Sequence, residues 1–202
     1  MGIVGLSREG GIAARLVLVG VIWGGAYVAG RFVAGELTPM VAVALRFSIA
    51  SALLLAILWS KPGSVRTVAR TDLPVVIFLG LTGVLGFNLL FFFGLESTGA
   101  VSGTLIGATN PVVTAVLAGV LLRERLSLVQ WLGVVLSFAG VLTVVWNGVP
   151  GMPLPPGVNR GDLLLGAAVV CWAVYSVAGR SIVRRYPSVT VTAYAYFTGA
   201  AL

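Results

Sequence analysis

The stretch "YVAGRFVAGELTP", Tyr27 to Pro39, is answered late in the chain by "SVAGRSIVRRYP", Ser176 to Pro187. Each copy of Val-Ala-Gly-Arg follows a tryptophan at the same interval, Trp23 before Val28 and Trp172 before Val177, and the copies stand 149 positions apart. Four common residues can recur by chance. The matched tryptophan, and the proline that follows each copy after a nearly equal interval, favour a repeat. The fold then turns on the medium the two copies enter, and from which side.

The medium is lipid. The 202 residues are 58% hydrophobic and 9% charged, with a mean hydropathy of +1.06, whereas a soluble domain carries roughly 25% charged residues. Apolar runs long enough to cross roughly 30 Å of hydrocarbon at about 1.5 Å per residue recur along the chain. They predict spans at Ile12 to Ala34, Pro39 to Trp59, Leu73 to Leu95, Gly99 to Leu122, Leu128 to Trp146 and Asp162 to Val183, with a seventh beginning near Val189 and cut off at Leu202. The first run is longer than the core of a signal peptide and contains the repeated motif, so it reads as a retained span. The fold class expected is an all-α polytopic membrane protein.

The net charge of +7 comes from basic residues in short patches between apolar runs, which topology explains better than nucleic acid does. Arg8 and Arg15 lie in the N-terminal tail, Lys61, Arg66 and Arg70 after span 2, Arg123 and Arg125 after span 4, and Arg180, Arg184 and Arg185 at the end of span 6. The alternate loops offer only Glu36, Glu96 and Arg160 with Asp162. Because cytoplasmic loops hold the excess of Lys and Arg, the N-terminus is expected inside. Span 1 then leaves the cytoplasm and span 6 enters it. Homologous segments inserted in opposite senses mark an inverted-topology repeat, with a solute site near the midplane between the halves. The predicted units are residues 1–146, a five-helix repeat; 147–161, an extracytoplasmic linker whose four prolines cannot continue a helix; and 162–202, the start of a second repeat.

Span 4 carries Gly99, Gly103, Gly107, Asn110 and Thr114 on one helical face, with Pro111 next to Asn110. The glycines read first as close helix packing. At Asn110 and Pro111 two readings stand: a polar path with a hinge at the carbonyl that proline leaves unpaired, or plain interhelical bonding. In span 1, Gly20, Trp23, Tyr27 and Gly30 share a stripe, as do Trp172, Tyr175, Ser176 and Gly179 in span 6. These rings either pack the repeat interface or wall a cavity. Asn88 and Phe92, four apart in span 3, carry the same pair of readings. Together these groups suit a mostly apolar pocket for a small amphipathic or zwitterionic solute.

Arg46, several residues inside span 2, is expensive in lipid unless it snorkels, pairs or faces water. It either reaches the headgroups, or contacts a solute carboxylate or a gate carboxylate such as Glu36 or Glu96. Arg31 and Arg180, near opposite surfaces, read as snorkelling anchors, and Glu124 as a partner of its neighbouring arginines or of a helix end. No carboxylate falls near the centre of any of these spans; if the remaining spans of a complete protein lack them too, facilitated diffusion or exchange without a protonatable relay is favoured. With no histidine, and Cys171 as the single cysteine inside an apolar run, imidazole ligands, an intrachain disulfide and a CxxC metal or redox pair are excluded. No metal or cofactor is expected, and an intramembrane enzyme would lack both nucleophile with base and metal cluster.

Spans 1 and 2, "VIWGGAYVAGRFVAGELTPMVAVALRF", and spans 3 to 5, "LFFFGLESTGAVSGTLIGATNPVVTAVLAGVLLRERLSLVQWLGVVLSFAGVLTVV", resemble the drug/metabolite transporter superfamily, in particular its EamA-type members. The mid-helix proline, the "RERLSLVQWLG" turn and the "AGV" ending carry the likeness. The resemblance implies ten spans in two five-span repeats. It also implies a carrier of small metabolites or drugs, amino acids and related solutes among them, exporting by alternating access around a central cavity. Its partners would be membrane lipids and the solute, with a homodimer left open. The second repeat here supplies one span and part of another, so a complete protein is expected to continue past Leu202. A non-transporting scaffold or an inactive fragment stands as the alternative. Twelve arginines against one lysine suggest a GC-rich bacterium and hence the cytoplasmic membrane.

Overall fold

The computed structural model describes residues 3–60, 67–123, 126–147 and 158–200, with side chains except at 3–10, 16 and 144–147. Every regular element among them is helical. The helices are α1 (Ile3–Glu36), α2 (Pro39–Ser60), α3 (Leu73–Ser97), α4 (Ala100–Leu121), α5 (Leu128–Asn147), α6 (Arg160–Ile182) and α7 (Ser188–Ala200). Five of them are long and apolar enough to cross a membrane by length and composition: α2, α3, α4, α6 and the Gly11–Glu36 part of α1. The chain is an all-α polytopic membrane protein.

The boundaries follow hydropathy to within two residues, except at the start of α1, where the helix begins nine residues before Ile12. Hydropathy locates what lies in hydrocarbon. A helix of polar residues can continue past that limit because its backbone bonds are internal. Lys61, Arg66, Glu124, Arg125, Leu202 and most of the linker at 147–161 lie outside the described residues.

Two helices depart from regular α geometry. Within α3, Gly80–Gly86 forms a π-helical stretch between α segments Leu73–Leu79 and Phe87–Ser97, and the Phe87 N–H donates to the Thr82 carbonyl five residues back. Hydropathy does not register such a widening. Within α4, the helix breaks at Thr109 into Ala100–Ala108 and Asn110–Leu121. Pro111, at the start of the second piece, cannot donate, and the Thr109 hydroxyl donates back to the Ile106 carbonyl at 2.6 Å. The interruption thus falls two residues before Pro111, where the sequence left a hinge and plain interhelical bonding as alternatives.

The centre of the bundle is α3 packed on α6, joined at both ends. At one end Asn159 and Asp162 form a capping box that starts α6, each side chain accepting from the other's backbone N–H at 3.0 Å. The Thr98 hydroxyl, at the end of α3, lies 3.0 Å from both Asn159 Oδ1 and Asp162 Oδ1 and donates to this oxygen pair. Gly161 lets the backbones meet, since a Cβ there would strike Thr98 and the Gly94 carbonyl. At the other end Asp72 accepts from Arg185 Nη1 at 3.0 Å and from the Tyr186 hydroxyl at 2.9 Å, and that hydroxyl accepts from the Ala69 N–H at 3.1 Å. Helix α7 closes on the π stretch, where a Cβ on Gly80 would meet Thr198 and the Ala195 carbonyl.

Candidate functional site

Two neighbouring cavities open among the helices. The first, about 350 Å³, lies between α1, α2, α3, α6 and α7. The second, about 550 Å³, lies between α1, α4 and α6.

The first cavity is walled by Trp23, Tyr27, Phe87, Phe91, Trp172, Tyr175 and Tyr196. The rings brace one another edge-on or tilted: Tyr27 on Phe91 at 5.0 Å, Phe87 on Trp172 at 5.1 Å and Trp172 on Tyr175 at 5.3 Å between centroids, the arrangements their quadrupoles favour. The Tyr175 ring occupies the notch that Gly83 leaves in the π stretch, and Tyr27 the notch of Gly107 in α4. Both glycines are needed because a Cβ would overlap the ring.

Two polar groups interrupt this wall. The half-buried Arg46 guanidinium stands over Phe91, 5.8 Å from its centroid, within cation–π range. It makes no ion pair with Glu36 or Glu96 in the structure, so the gate pairing expected with those residues is absent here. Asn88, 3% exposed, donates through Nδ2 to the Val84 carbonyl at 2.6 Å, and its Oδ1 is buried with no partner. An amide oxygen left bare in an apolar surround costs about 1–3 kcal/mol, and Asn88 is among the residues that line the cavity. The aromatic box therefore holds a cation and, in its wall, an amide whose buried oxygen has no partner.

The second cavity contains Asn110 and Pro111 with Gly20, Gly24, Thr104, Gly107 and Thr114. Asn110 Oδ1 accepts from the Thr114 hydroxyl at 3.2 Å, so part of its polarity is spent within its own helix. Trp23, Tyr27 and Trp172 line both cavities.

Of the residues expected from the sequence, Trp23, Tyr27, Arg46, Asn88, Trp172 and Tyr175 meet at the first cavity and Asn110 at the second. Phe92 does not line either; it is buried behind Phe91, edge-on at 5.3 Å. Gly103 and Gly107 pack against Leu95, Leu165 and Tyr27, whereas Gly99 sits in extended conformation just before α4. Arg31 has a role beyond anchoring: its Nη1 donates to the Leu95 and Glu96 carbonyls at 2.6 and 2.9 Å, covering the end of α3. Sequence reading missed Phe87, Phe91, Thr192 and Tyr196. The spacing of four between Phe87 and Phe91 was the available signal.

A bundle of apolar helices around cavities of this size and lining defines a multi-pass membrane protein. The chain belongs to the EamA-like transporter family, whose profile matches residues 11–146. It is similar to the uncharacterized transporter YyaM of Bacillus subtilis, 36% identical over 84% of this chain and 56% of that protein. It is also similar to the aromatic amino acid exporter YddG of Ancylobacter novellus, 27% identical over 82% of this chain and 57% of that protein. A solved crystal structure shares the fold with a TM-score of 0.63 at 23% identity, over 91% of this chain and 62% of the other. The chain thus spans about three fifths of the length of the relatives it matches. The family is one of transporters and not of enzymes.

Proposed function

We propose that the complete protein exports small amphipathic solutes carrying both a carboxylate and an ammonium group, amino acids with apolar side chains in particular. The observation that carries this reading is the first cavity: Arg46 and Asn88, whose buried Oδ1 has no partner in the structure, line one box of aromatic rings. Arg46 suits a carboxylate and Asn88 Oδ1 suits an N–H donor, while the rings take the apolar side chain and contribute cation–π attraction to an ammonium. That a relative is an aromatic amino acid exporter supports the same substrate class.

The mechanism in this reading is alternating access between two inverted repeats, 1–146 and a second beginning at 162, around an axis near the midplane. The Lys and Arg distribution favours a cytoplasmic N-terminus, and the composition a bacterial cytoplasmic membrane. The test is counterflow of labelled amino acids into proteoliposomes of the complete protein. Flux of aromatic and large aliphatic amino acids is expected. Arg46→Gln should reduce it by about tenfold or more, the scale of a lost charged contact of about 1.5–3 kcal/mol. Asn88→Leu should raise the concentration for half-maximal flux. Flux indifferent to both changes would overturn the site, and no flux of any zwitterion would overturn the substrate class.

A further inference from the structure

The two cavities share Trp23, Tyr27 and Trp172, so these residues are the wall between them. Within the wall the rings of Trp23 and Trp172 meet edge to face, 5.0 Å between centroids and 74° between planes. The two tryptophans hold the same place in the two Val-Ala-Gly-Arg copies. A residue that touches its own repeat equivalent must lie on the axis relating the copies, as in a self-complementary two-fold contact. The centre of the bundle is thus closed by a pair of rings, one from each copy.

The two rings are held differently. Trp172 is braced from behind by Phe87 and Tyr175. Trp23 has Trp172 as its one ring partner among the described residues, is 37% exposed and makes no hydrogen bond in the structure. On the same helix a Cβ on Gly20 or Gly24 would meet nothing within 4 Å, and both glycines line the second cavity. Both indoles border the second cavity, but Trp23 is held by one ring while Trp172 is held by three, Trp23, Phe87 and Tyr175.

We propose that Trp23 is the movable leaf, and Trp172 the fixed edge, of a partition through which solute passes between the cavities, and that the pair sets the largest solute admitted. The second cavity is then a transit station for the solute bound in the first. This rests on the carrier reading for its solute but not for its geometry.

The decisive measurement needs no solute. In the complete protein with Cys171 and any further cysteine replaced by serine, a Thr104→Cys substitution places a single thiol at the second cavity, and a membrane-impermeant thiol reagent is applied to either face in turn. With Trp23 intact, or replaced by Phe, labelling from the two faces should differ by about tenfold or more; with Trp23→Ala the two rates should come within about twofold of each other. Equal rates with Trp23 intact, or an unaltered ratio in Trp23→Ala protein that elutes as a single monodisperse species, would overturn the partition. Trp172→Ala provides a second opening should Trp23→Ala fail to fold, with the same outcomes.

A second arm measures flux of amino acids graded from alanine to tryptophan. Trp23→Ala should raise flux of the largest relative to the smallest, and an unchanged order would remove the size filter. If no amino acid moves even in the unaltered protein, the substrate reading fails while the labelling result still decides the partition.

Discussion

Helices α1 and α3 are both long and apolar, yet half of α3's apolar stretch is buried within the bundle and only 6% of α1's. In water such a contrast would follow from hydrophobicity. In lipid it does not, because the surrounding acyl chains are as apolar as leucine and burial must be driven by close packing and polar contacts. The glycines separate the two helices. On α3, a Cβ added at Gly80, Gly83 or Gly94 meets an atom of another helix at short range; on α1, among the glycines whose surroundings are described, Gly11, Gly20, Gly24, Gly25 and Gly35 face open space and Gly30 is filled, by Leu95 and Phe91. Polar residues make the same distinction. Helix α3 is tied to α6 through Thr98 at one end and Asp72 at the other, while α1 is tied through Arg31. Small residues matter where a neighbouring backbone or side chain fills the space they leave.

The contrast can be broken most severely at Gly80. Gly80→Leu should drive α3 off α7 and lower stability by about 2–4 kcal/mol, beyond the usual overpacking range because the obstruction includes backbone. Thermal unfolding in detergent would report it as a large drop in midpoint. At the capping box, Asp162→Ala removes the acceptor of the Asn159 N–H and one of the two acceptors of Thr98 together, and should cost about 1–2 kcal/mol by the same measurement. Tyr186→Phe, at the opposite end, should cost about 0.6–1.7 kcal/mol, the range of interhelical hydrogen bonds in membranes. Arg185→Gln should cost less, since its side chain is 66% exposed and such pairs contribute about 0–1 kcal/mol. Gly24→Leu on α1 sharpens the contrast from the other side. It should change the midpoint little, within about 0.5 kcal/mol, and a large loss there would show that the open face of α1 is in fact occupied by another helix.

The spans were legible because lipid imposes a length and a composition that a sequence cannot conceal, and their ends fell close to where Pro39, Leu73 and Asn159 stand. The aromatic stripes were legible through the repeat, which singled out Trp23 and Trp172 before any contact between them could be known. Arg46 stood out because a cation inside a span needs a reason, although which partner it finds depends on how α2 faces Phe91, a matter of rotation that composition does not encode. Rotation also explains Phe92. Asn88, Phe91 and Phe92 follow the widened stretch on one regular segment, and its rotation about the axis turns Phe91 to the cavity in place of Phe92. The pairing of Thr98 with Asp162, 64 residues apart, had no local signature, and the three glycines at intervals of three, Gly80, Gly83 and Gly86, were the only trace of the widened turn.

That widened turn has a consequence of its own. A stretch with more residues per turn than its flanks behaves as a stored insertion, a wrinkle that can be passed along a helix or squeezed out without breaking the chain. At Gly86 a Cβ would collide with the Leu81 carbonyl, so an alanine there should expel the wrinkle. Relaxing α3 to ordinary pitch would swing Phe87, Asn88 and Phe91 by roughly 100° about its axis, one residue's rotation, carrying the bare amide oxygen of Asn88 out of the aromatic box. A single glycine thus holds the helix in the setting that aims those side chains, and an axial twist of α3 becomes a way to empty the box without moving any helix through the lipid.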